Sequence, residues 1–202
     1  MNENVMQKLS YGLFVLTAKD DAKDNGCIIN TVTQVANKPN RISISVNKAN
    51  YTHDMILKTG EFNVSILSED AKFGVFQHFG FQSGRNVDKM ADITFSRAAN
   101  GIAYIGDMCN AYISGKVIQS IDVGSHTLFI ADVTDGEILS ETPSATYAYY
   151  FSNIKPKPQP KEEKKKGWIC TICGYIYEGE VLPPDFVCPI CKHPASDFRR
   201  LG

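Results

Sequence analysis

Two C-x-x-C pairs near the end of the chain, Cys170-Thr171-Ile172-Cys173 and Cys188-Pro189-Ile190-Cys191, constrain the fold more than any other feature. Fourteen residues separate the pairs. Each pair lets a tight turn aim two sulfurs at one point, so the four close on one ion as a tetrahedral S₄ site. That ligand set suits zinc or iron, and the spacing alone leans to a structural zinc. A segment of this size has little core of its own, so a metal supplies much of its folding free energy.

The rest of the composition is that of an ordinary globular chain of 202 residues, with a formal net charge of −1. No global field favours nucleic acid or an anionic membrane surface. There is no apolar run long enough for a membrane span and no secretory pattern at the amino terminus. A cytoplasmic protein is therefore expected, without nucleic-acid or membrane partners. Four of the six cysteines have metal spacing; the other two, Cys27 and Cys109, read as buried small hydrophobes.

Residues 155–166 contain six lysines, three prolines, two glutamates and no apolar side chain. Such a stretch cannot join a core and reads as a linker, extended to at most roughly 37 Å at about 3.1 Å per residue. It divides the chain into residues 1–154, a linker at 155–166 and a metal module at 167–202.

Residues 13–17, 27–35, 41–46, 61–67, 111–118 and 126–133 are rich in β-branched side chains, and several alternate apolar with polar. Helical signals are few. Thr52 is placed to cap a short helix ending near Thr59 and Gly60, and residues 69–79 form a second amphipathic stretch. Many antiparallel strands with one or two helices predict a barrel and not a doubly wound sheet. No G-x-G-x-x-G, no P-loop and no hydrolytic constellation is present.

Two resemblances extend this reading. Trp168, Gly174, Tyr175, Tyr177, Phe186 and Phe198 surround the cysteines in a pattern that resembles rubredoxin, whose iron is held by four thiolates. The span between the pairs is shorter than in free-standing rubredoxins and is similar to the domain that ends rubrerythrins. This resemblance implies one redox-active iron on Cys170, Cys173, Cys188 and Cys191.

The runs 11–17, 25–35, 43–48, 50–53, 60–65, 79–89 and 124–126 resemble the flavin-reductase family of FMN-binding split barrels. That resemblance implies a six-stranded antiparallel Greek-key barrel, mainly β, that binds FMN or FAD, with FMN expected, forms a homodimer and takes hydride from NADH or NADPH. It implies a flavin site drawn from Asn30, Thr31, Thr33, Ser45, Asn47, Lys48, Tyr51 and His53, with Arg85 and Lys89 reaching a phosphate. It also implies that His126 faces the flavin and nicotinamide region; Ser125 precedes it where the family often has Asp. A barrel of this kind fused to a rubredoxin module is expected to pass single electrons to a partner such as a flavo-diiron protein reducing nitric oxide or oxygen. The alternative is a reductase using flavin as a substrate, with a structural zinc ribbon for a tail. His78, His193, Tyr147, Tyr149 and Tyr150 read as structural.

Overall fold

The structure is a computed structural model that describes residues 3–21, 23–157 and 167–201. The chain divides into two compact units, residues 1–155 and 156–202. Most of the Lys/Pro-rich segment, residues 158–166, lies outside the described residues.

Unit one is built on a seven-stranded antiparallel sheet. Its strands are β1 (Phe14–Lys19), β2 (Asp24–Ile29), β3 (Val32–Asn37), β4 (Asn40–Asn47), β5 (Glu61–Leu67) and, after the short β6 (Ser96–Arg97) and β7 (Ala103–Tyr104), β8 (Cys109–Asp122) and β9 (His126–Ile138). The hydrogen-bonded order is β2-β1-β5-β8-β9-β4-β3. The two edge strands, β2 and β3, are consecutive in sequence and separated only by Asn30 and Thr31. One bent segment therefore supplies both edges, which draws the two ends of the sheet towards each other. Counted as one bent strand, β2 and β3 reduce the seven strands of the sheet to six.

Alternation explains which side faces in. In β4, Ile42, Ile44 and Val46 point inward and are 4%, 0% and 0% exposed. Leu16, Phe62, Val64 and Phe129 meet them in one core cluster. A second cluster packs the helix α2 (Phe73–Gly80) and Tyr150 against Leu13, Val15 and Leu67. Tyr150 lies 4.5 Å from Phe76, centroid to centroid, and Tyr147 packs against the same cluster, so these two tyrosines pack the last segment of this unit. Cys27 and Cys109 are buried, and burial pushes the Cys109 thiol up to about 12, which leaves it inert.

Helix α1 (Tyr51–Thr59) ends as expected, at a left-handed Gly60 (φ 72°) whose N–H donates to the Ile56 carbonyl at 2.8 Å. Its start differs from the expectation. Asn50 is the N-cap, and Thr52 is inside the helix and buried, its hydroxyl accepting from Asn25 Nδ2 at 2.8 Å. α2 begins later than residue 69, because Ser68 and Glu69 pair with Met108 and Pro143 carbonyls. Among the described residues no helix is long and apolar enough to cross a membrane.

Unit two is a three-stranded sheet, β10 (Gly167–Cys170), β11 (Ile176–Tyr177) and β12 (Phe198–Leu201), in the order β11-β10-β12. Its small core is aromatic: Phe186 lies 4.6 Å from Tyr177 and 5.4 Å from Phe198.

A flavin-reductase cleft and a four-thiolate cage

The four sulfurs of unit two lie within 4.8 Å of one another. Cys170–Cys191 and Cys173–Cys188 approach to 3.5 Å. A tetrahedron with metal–sulfur bonds of about 2.3 Å has edges of about 3.8 Å, so the cage fits one ion. Its two turns repeat one design. Gly174 N–H donates to the Cys170 carbonyl and Lys192 N–H to the Cys188 carbonyl, both at 2.9 Å. Each donor has a left-handed backbone, φ 81° at Gly174 and 60° at Lys192.

The backbone N–H groups of Tyr175, Ile190, Cys191 and His193 point at the sulfurs, as thiolate charge requires. Without an ion, burial pushes the Cys173 thiol up to about 11, so metal uptake must release protons. Cys170, Cys188 and Cys191 are buried; Cys173 is partly exposed and forms the solvent edge of the cage. His193 is held by Asp197 at 2.7 Å.

In unit one, the break between β2 and β3 opens a cleft of about 440 Å³. Asn30, Thr31, Ser45, Asn47 and His126 line it, together with Tyr11. The reason is register: Asn47 sits opposite His126 on the β4–β9 ladder, and Ser45 N–H donates to the Thr31 carbonyl at 3.3 Å. Thr31 Oγ1 returns a bond to the Ser45 carbonyl at 2.8 Å, so its hydroxyl is committed. Asn47 Oδ1 accepts from Ala49 N at 2.9 Å, leaving the amide NH₂ free to donate. His126 Nδ1 meets Ser125 Oγ at 2.8 Å, which turns Nε2 outward. The Asn30 and Ser45 side chains make no hydrogen bond among the described residues. Sequence reasoning did not select the apolar walls, Ile29 and Val123; Val123 comes from the turn between β8 and β9.

Other expected residues lie elsewhere. Thr33 is exposed on β3. Lys48 pairs with Asp122 at 2.7 Å. Among the described residues, no lysine or arginine lines the cleft. Tyr51 carries the Arg85 guanidinium over its ring at 5.1 Å. Arg85 also pairs with Asp54, and together with His53 it holds that carboxyl below the usual carboxylate range. His53 is buried, with Nδ1 3.1 Å from Asp54 Oδ1 and Nε2 2.8 Å from Thr127 Oγ1. Neighbours on a strand face opposite sides, so His53 grips β9 from the core side at Thr127 while His126 faces the cleft.

Lys89 is 2% exposed and donates to the carbonyls of Gly26 and Phe79 at 2.9 and 2.8 Å. It clips the loop after α2 onto β2. Burial lowers its ammonium to about 8. Between that value and its ordinary 10.5 the unfolded chain keeps a proton that the folded chain releases. Stability therefore rises with pH across that window, by up to about 3 kcal/mol. Urea unfolding at pH 7.5 and pH 10 is expected to show a stability change more favourable by up to about 3 kcal/mol in the native chain than in Lys89→Met, because the opposing Cys109 contribution is common to both; an equal change in both would refute the assignment.

Residues 6–157 match the flavin reductase like domain family. The chain belongs to that family. Residues 168–199 match the rubrerythrin, rubredoxin-like domain, so this member carries a rubredoxin-like module on its flavin reductase-like barrel. A relative named high molecular weight rubredoxin, from Moorella thermoacetica, is 35% identical over the full length of both chains. A ferric-chelate reductase (NAD(P)H) of Archaeoglobus fulgidus is 33% identical, over 78% of this chain and 93% of its own. Among solved structures, the flavin reductase PheA2 in its native state superposes with a TM-score of 0.62 at 27% identity, covering 72% of this chain and 93% of that one. The protein is thus an oxidoreductase of the flavin reductase type. Its thiolate cage is suited to iron.

Proposed function

We propose that the chain transfers electrons from NAD(P)H, at an FMN site in the barrel cleft, to a rubredoxin-type iron centre that serves an external acceptor protein. The observation that carries this reading is the presence, in one family member, of a donor-lined cleft and a separate four-thiolate cage. Bound flavin accepts hydride and gives up electrons singly, and iron in four thiolates takes one electron at a time.

The protein's own groups bind and orient. Asn30, Ser45 and Asn47 offer neutral donors to the phosphate, ribityl or ring oxygens of the flavin. Ile29 and Val123 supply apolar wall, and His126 Nε2 presents a hydrogen-bonding atom where a nicotinamide carboxamide would meet the flavin. His53, Asp54 and Arg85 position β9 and thereby His126. In the second unit Cys170, Cys173, Cys188 and Cys191 hold the iron, with Cys173 as the electron exit. Joining both centres in one polypeptide makes the transfer between them intramolecular.

The acceptor proposed is a flavo-diiron protein. The match of the second unit to a rubredoxin-like domain supports an external acceptor protein. A homodimer formed through the barrel and a cytoplasmic location complete the reading. Absorption and metal analysis of the purified protein test it. Flavin bands with ferric–thiolate bands and about one iron per chain are expected. A colourless, zinc-loaded protein would instead favour flavin as a substrate beside a zinc ribbon.

A further inference from the structure

We propose that a cavity between α2 and the segment joining β7 to β8 binds a small organic cation, a protonated amine carried on an apolar body. The proposal goes beyond the reductase reading and does not depend on it. The cavity measures about 360 Å³. Val75, His78 and Phe79 line it from α2, Asp92 from the loop that follows, and Ile105 and Asp107 from the run between β7 and β8. It shares no lining residue with the flavin cleft.

The lining sorts by chemistry. Val75, Phe79 and Ile105 are 7%, 2% and 4% exposed and form an apolar base, whereas Asp92 and Asp107 are exposed and stand at the mouth. Among the described residues neither carboxylate has an ion-pair partner, and no lysine or arginine lines the space. His78 Nε2 lies 2.6 Å from the Lys89 carbonyl, so that nitrogen donates, and Nδ1 of the neutral ring is left as an acceptor. With the imidazole neutral, the charge of the lining is wholly negative, which selects a ligand that donates hydrogen bonds from a positive group. A bare metal ion does not meet this description. Among the described residues only the four cysteines gather their ligand atoms within 4.8 Å of one another, so His78, Asp92 and Asp107 are spread too widely for one ion.

Gly74 is an independent observation. It lines the cavity from within α2, where alanine would make a firmer helix. A β-carbon built there meets no atom within 4 Å, so packing inside the protein does not require the glycine. What the missing side chain preserves is open space over the helix backbone. The wall supplied by Met108 is held in place: its backbone is left-handed (φ 59°), and its carbonyl accepts from Ser68 N–H at 2.9 Å and Ser68 Oγ at 3.1 Å. A preformed space of this size, apolar with a few placed charges, suits one small molecule.

Calorimetric titration of the full-length protein with benzylammonium tests the site. Binding is expected, weakened roughly tenfold in the Asp92→Asn/Asp107→Asn double variant, as loss of charge-assisted bonds at an exposed mouth allows. Gly74→Leu, whose side chain fills the space, should abolish it. Benzyl alcohol, of nearly the same shape without the charge, should bind more weakly than benzylammonium and equally to the native and double-variant proteins, which separates lost charge from a damaged cavity. Benzylammonium that does not bind, that binds either variant as tightly as the native protein, or that binds no better than benzyl alcohol would overturn the proposal.

Discussion

Cys170→Ser is expected to abolish electron delivery to an external acceptor while leaving NADH-driven flavin reduction unchanged. Cys170 is 1% exposed and anchors one corner of a cage whose sulfurs all lie within 4.8 Å. Serine offers a shorter, harder ligand, and the cage cannot contract to meet it without disturbing the turn closed by Gly174. Changes merely next to a metal site cost roughly 10–100-fold in affinity or activity, so loss of a ligand exceeds that. The three-stranded unit has only a small aromatic core, so its fold depends on the ion. Reductive chelation should therefore melt the second unit and leave the barrel's unfolding transition in place. The barrel has its own clusters around Phe62, Phe129 and Ile44, none contributed by the second unit. Loss of flavin reduction together with iron would mean the two centres are not separable, against the two-module account.

The second large effect concerns the cleft. Asn30→Leu combined with Ser45→Ala removes two donors and fills part of the space between β2 and β3. Two neutral hydrogen bonds at about 1 kcal/mol each correspond to roughly 30-fold weaker flavin binding, before any steric term. Fluorescence titration of the flavin-depleted protein measures this, and iron content should stay unchanged. Lys48→Gln is the matched control: its ammonium serves Asp122 at 2.7 Å, outside the cleft lining, and its effect on flavin affinity is expected to be small. Wild-type affinity in the double variant would move the flavin site elsewhere.

These predictions also show which parts of the molecule were legible in the chain. The cage was, because its ligands come in two local turns whose geometry depends on residues within a few positions of each cysteine. The strands were legible where burial alternates, as in Ile42, Ile44 and Val46, and α1 was legible at its end, where Gly60 takes a conformation unfavourable to other residues. The interruption at Asn30 and Thr31 was not, because β-branched residues continue through it and only the pairing of β2 with β1 and of β3 with β4 breaks the strand.

Side-chain roles set by distant partners were equally hidden. Nothing local in residues 83–89 says that Lys89 turns inward to two carbonyls while Arg85 stays near the surface with Asp54. Thr52 had the chemistry of a cap, and tertiary pairing with Asn25 took it into the helix. Tyr11 belonged to a run already singled out, yet its place on the wall of the flavin cleft follows from its backbone pairing with Tyr147, more than a hundred residues away.

The most direct test is anaerobic stopped-flow mixing of the purified protein with NADH, followed at the flavin and the ferric–thiolate absorption bands together. The account predicts that the flavin band bleaches first and the ferric–thiolate band follows, at a rate independent of protein concentration. A ferric–thiolate band that persists after the flavin is fully reduced would contradict it.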